Sequence, residues 1–134
     1  MLNDIRPGLR EFLLADGAIF TAVGGVRIHG MNLPMGVMPG PSIVYTQISE
    51  GTDHTNDGPS GLVASRFQID AWADTYDEAT LLALQIKEHL DGYRGPMGST
   101  PVQGVFAEDA RSNYDPNAAL HRVSRDYFIS YEER

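Results

Sequence analysis

The chain has no cysteine, which excludes disulfides and thiolate metal sites outright. That suits a reducing compartment. It also lacks any uninterrupted apolar run of about 18 residues, the length needed to cross a membrane as a helix. The N-terminus MLNDIRPGLREF has no apolar core of a signal peptide. The expectation is an intracellular product, or part of an assembly built there. Basic residues are few: 10 lysines and arginines face 18 acidic residues, for a net charge of −8. Phosphates are repelled by such a balance, which argues against nonspecific binding to DNA or anionic membranes.

Catalytic signatures are missing as well. The four histidines, His29, His54, His89 and His121, fall on four different expected elements and form no metal-type pair. His89 stands near the end of an expected helix, where the helix dipole favours a cationic ring on the surface. DHTNDG imitates the start of a calcium loop through Asp53, Thr55, Asp57 and Gly58. Ala64 stands where that loop needs a bidentate glutamate, so a plain turn-rich loop is the better reading. GPSG is no nucleophile elbow, and GGVRIHG lacks the glycine spacing of a dinucleotide fingerprint. Asp70 and Asp74 resemble a carboxylate pair, but a strand position and a helix start explain them more simply. No enzyme activity and no cofactor are expected.

What is present is the composition of a folded domain. The 134 residues are 42% hydrophobic and 21% charged, enough for one domain, residues 1–134, with a real core. LNDIRPGLREFLLADGAIFTAVGG reads as a helix and a shorter helical turn, with Pro7 in the first turn and Gly24 and Gly25 as the stop. VRIHG and SIVYTQIS are strand candidates, and so are VQGVFAEDAR and HRVSRDYFISYEE, with NYDPN as the turn between the last two. EGTDHTNDGPS reads as a polar loop, mobile until a partner orders it, because it has little to bury.

The stretch SGLVASRFQIDAWADTYDEATLLALQIKEHLDGY changes period in its middle. Val63, Phe67, Ile69 and Ala71 share one strand face, with Ser65 among them, and Arg66, Gln68 and Asp70 share the other. Asp74 ends the strand, and Thr75 with Glu78 has capping-box spacing. Ala79, Leu82, Ala83, Ile86 and Leu90 then form an apolar helix stripe that Gly92 terminates. One buried face on each element implies an α+β domain of two layers, helices packed on one face of an antiparallel sheet. The opposite face, with Arg66, Gln68, Asp70, Arg122 and Ser124, is left polar.

Apolar side chains also stand where a monomer has little use for them. The Pro/Gly loop MNLPMGVMPGP carries Leu33, Met35, Val37 and Met38, and flexible methionines suit an adaptable contact. A fold of this loop over the core is the competing reading. Trp72 falls at the strand end on the polar face, as an interface anchor or as a lid over a helix end. With Asp53 and His54 from the polar loop, the candidate contact residues are Arg66, Gln68, Asp70, Trp72, Met35 and Met38.

IVYTQISEG, GLVASRFQIDAWADTYDEATLLA, LDGYRGPMGSTPVQGVF and HRVSRDYFISYEE occur in an order and spacing that resemble the tail completion, or tail terminator, family of long-tailed phages and gene transfer agents. RFQIDAWADTY and LDGYRG are the most specific of these segments, and MNLPMGVMPGP departs from the commoner form in its extra methionines. The resemblance implies a small α+β virion protein forming a hexameric ring. Such a ring caps the tail tube, stops its polymerisation and offers the neck or head-closure proteins a joining surface. DNA passes through it without sequence-specific binding. It implies a place in the virion at the neck end of the tail, after assembly in the host cytoplasm, and no catalytic residues. The half-polar sheet and the loops Glu50–Ser60 and Arg94–Thr100 are the surfaces open to such a ring. A head-closure or adaptor neck protein is the nearer alternative, and a small intracellular ligand-binding domain the more distant one.

Overall fold

Thr75 decides where the chain turns from strand to helix. Its backbone is extended, and its hydroxyl accepts a hydrogen bond from the Glu78 N–H at 3.1 Å, satisfying one of the free donors of the first turn. Strand β3 (Gly58–Ala73) ends two residues earlier, and helix α3 (Tyr76–Leu90) begins directly after it. Asp77 and Glu78 lie in the first turn and Lys87 and His89 in the last, each sign at the end the dipole favours. The Tyr93 N–H returns to the Leu90 carbonyl at 3.0 Å. Asp91 at φ −62° and ψ 126°, followed by Gly92 at φ +79°, closes this as a type II turn, whose third position requires a glycine-like φ.

The computed structural model describes residues 5–23, 28–30, 41–55, 58–98, 100–116 and 119–132. Besides β3 and α3 it contains α1 (Arg6–Leu14), α2 (Gly17–Ala22), β1 (Ile28–Gly30), β2 (Ser42–Thr55), β4 (Gly95–Met97), β5 (Thr100–Asp115) and β6 (Leu120–Glu132). Pro7 occupies the first turn of α1. Asp16 caps α2, its Oδ1 accepting from the N–H groups of Ala18 at 2.8 Å and Ile19 at 3.4 Å.

The strands form one sheet in the order β1-β2-β3-β6-β5-β4. β2 to β6 pair antiparallel, and β1 joins the edge parallel to β2. The helices pack on one face, α3 over β3, β6 and β5, with α1 and α2 beside it. Val63, Phe67, Ile69 and Ala71 of β3 are buried there with Tyr127, Ile129 and Tyr131 of β6. Ala79, Leu82, Ala83, Ile86 and Leu90 of α3 close the core from above. Ser65, polar within this layer, is satisfied by the Tyr131 hydroxyl at 3.1 Å and by Gln47 Nε2, which donates to it at 3.2 Å. His89 stitches the helices together: Nε2 lies 2.7 Å from the Phe12 carbonyl, Nδ1 lies 3.4 Å from Asp16 Oδ2, and the ring stacks on Phe12. Its role is a tertiary fastening between α3, α1 and the start of α2.

Three loop readings are corrected by the fold. Glu50–Thr55 and Gly58–Ser60 are strand, not loop: Glu50 pairs with Ser65, Thr52 with Val63 and His54 with Pro59. Pairing that starts in the apolar halves of β2 and β3 propagates into residues with poor strand preference, because that preference depends on context. β5 continues through Asn113, Tyr114 and Asp115, and the described turn residues are Pro116 and Ala119, the latter at φ 54°. Pro116 has no N–H to extend the ladder. Within Arg94–Thr100, Gly95–Met97 forms the short edge strand β4, with Met97 buried. Met35, Met38, Gly24 and Gly25 lie outside the described residues.

Candidate functional site on the polar sheet face

Cross-strand register brings the even-numbered residues of β3 and β6 into one field. Arg66 stands opposite Phe128, Gln68 opposite Asp126, Asp70 opposite Ser124 and Trp72 opposite Arg122. β5 adds Phe106 beside Phe128 and Arg111 beside Ser124. A bulge between Ala107 and Ala110 shifts the register of β5 here, which re-aims side chains such as Arg111.

Asp126 is the centre of this field. Arg66 donates to its Oδ2 from Nε at 2.8 Å and from a terminal nitrogen at 2.6 Å, and Arg111 reaches Oδ1 at 3.1 Å. Only 7% of the Asp126 side chain is exposed, against 43% and 53% for the two arginines. Burial alone raises the pKa of this carboxyl, but hydrogen bonds and charge from Arg66 and Arg111 outweigh it and hold the group below its ordinary value. Arg111 also donates to Gln68 Oε1 at 3.4 Å, and Gln68 Nε2 donates to Asp70 Oδ1 at 3.0 Å. The guanidinium of Arg66 lies 5.3 Å from the centre of the Phe128 ring, within cation–π range.

Three of the expected contact residues, Arg66, Gln68 and Asp70, are thus brought together, but not as free surface charges. Asp70 is buried, and the ion-pair partner of Arg66 is Asp126. Trp72 stands at the far end of the same face and is also buried, with Arg122 packed 5.3 Å from its ring centre. Neither Trp72 Nε1 nor Arg122 Nε has a hydrogen-bond partner among the described residues. The two line a shallow cavity of about 250 Å³ with Asn113, Tyr114, Asp115 and Pro116. Asp53 and His54 belong to the far end of the β2–β3 hairpin, away from the Asp126 network along the strands.

Asp126 and Arg111 were not among the expected residues. Asp126 carries a readable signal, since it continues the alternation Arg122, Ser124 on one strand. Arg111 carries none, because its partner depends on the bulge. The network holds no nucleophile paired with a base. Among the described residues no group of three His, Asp or Glu is placed to hold a metal. Its chemistry is that of a rigid, charged, partly aromatic face.

The family model for tail completion protein gp17 matches residues 7–132. A chain from the solved structure titled "Virion of native gene transfer agent (GTA) particle" superposes with a TM-score of 0.71 at 17% identity, covering 92% of this chain and 91% of that one. At that identity the likeness is one of fold. No curated protein sequence matches.

Proposed function

The chain belongs to the tail completion protein gp17 family, a structural component of the phage-type virion, and from that premise we propose that it is the protein that terminates the tail tube. The observation that carries this reading is the family match over residues 7–132, nearly the whole chain. Residues 1–134 act as one tail-terminator-like unit. Copies assemble into a ring, a hexamer, on the neck-proximal end of the tube. The ring covers the surface to which the next tube ring would add, and so ends polymerisation. Its other side receives the neck or head-closure protein, so one component both stops and joins.

A closed ring requires heterologous contacts, in which two different patches of one subunit meet on neighbours. The acidic balance of −8 suits a passage for DNA, because like charge prevents tight phosphate contacts. Catalysis has no part in this role. Electron microscopy of tail tubes mixed with the purified protein tests it. A cap at one end of each tube is the expected image. Binding along the tube wall would contradict the terminator role, and binding to portal-bearing heads in preference to tubes would make it an adaptor.

A further inference from the structure

Among the described residues, two of the exposed apolar surfaces lie on opposite sides of the protomer. On α3, Leu81 and Leu84 are 58% and 52% exposed. With Asp77 and Glu88, also exposed, they form a ridge directly opposite the buried stripe of the helix, about 16 Å long at 1.5 Å per residue. Across the sheet, on the side away from the helices, one rung runs from the β2 bulge at Ile48 through Arg66 and Phe128 to Phe106. Ile48 is 51% exposed and Phe106 75%. Three strand spacings make that row about 14 Å wide. The lengths agree.

The charges are complementary too. The leucine ridge is flanked by carboxylates, and the aromatic row is flanked by the half-exposed guanidinium groups of Arg66 and Arg111. Asp126 fixes the orientation of both arginines and occupies only part of their donors. Lys87, beside the ridge, has its counterparts in the exposed Glu108 and Asp109 at the bulge beyond Phe106.

We propose that the Leu81–Leu84 ridge of one protomer seats on the Ile48–Arg66–Phe106 row of a second copy of this chain. The contact is head to tail, because the two surfaces differ and lie on opposite layers. It rests on the ring reading and names the surfaces that make the ring. Complementary charge aligns the contact, and the apolar row excludes water from its centre.

The absence of cysteine makes the test clean. In the double variant Leu84→Cys/Phe106→Cys, both positions are exposed and the fold is expected to be unchanged. Mild oxidation of the assembled protein should give covalent multimers on a non-reducing gel. The two single variants, mixed in equal amounts, should give a covalent pair of one of each and nothing larger. Each single variant oxidised alone should stay uncrosslinked. Disulfide pairs formed by either single variant alone would show a symmetric contact and overturn the proposal. Rings of native mass without cross-links in the double variant would overturn this contact and leave the ring standing. A protein that stays monomeric both alone and with tail tubes would overturn the ring and this contact together.

Discussion

Leu82→Ala is expected to lower the free energy of unfolding by about 2–5 kcal/mol, the usual cost of a cavity left by a buried leucine. Leu82 is 2% exposed and lies in the α3 stripe that covers β3 and β6. Two residues further on, Leu84 is 52% exposed on the opposite side of the same helix. Leu84→Ala should therefore stay within about 0.5 kcal/mol of the parent in the isolated protomer. Denaturant titrations of the two variants, compared at equal slope, read this difference directly. Equal effects would mean that α3 presents another face to the sheet.

The second large effect is expected at Gly8. A side chain there has no room: a Cβ would stand 2.4 Å from the Met97 carbonyl oxygen and 2.8 Å from its carbon. Both obstacles are backbone of β4, so relief requires α1 to move away from the sheet edge. Gly8→Val should cost about 3 kcal/mol or more, at or above the upper end of ordinary overpacking. Gly17 offers the contrast, since nothing lies within 4 Å of a Cβ built there. Gly17→Ala should be neutral or mildly stabilising, by up to about 1 kcal/mol, because alanine is the better helix former. Thermal unfolding of both variants checks this. Equal stability for the two would show that α1 does not rest on β4.

The sequence is most legible where a segment is long and one of its faces is apolar. The change of period between Trp72 and Thr75 located the end of β3, the Thr75 cap and all five buried residues of α3. Two features make that stretch readable: a strand face and a helix stripe are both local patterns. The β2–β3 hairpin end is not readable for the opposite reason. Glu50–Thr55 has a loop composition, and its strand character comes from the partner β3, which local composition does not describe.

The polar face shows the same division. Alternation within β3 groups Arg66, Gln68 and Asp70. That Arg66 pairs with Asp126 follows only from the placement of β6 beside β3, 60 residues apart in sequence. Trp72 was legible as an aromatic out of place. Its burial against Arg122 again depends on the β3–β6 register. Asp126 itself sits on the same alternation as Arg122 and Ser124, so the candidate could have been extended by one step. The bulge that brings Arg111 into the network has no comparable signature.

Tail lengths measured by electron microscopy on particles assembled in the absence of this protein decide whether it terminates the tube. A tube end left uncovered continues to offer the surface on which the next ring adds. Tubes of broad and excessive length are expected, unattached, beside filled heads that carry no tails. Tails of normal length joined to heads would contradict that role.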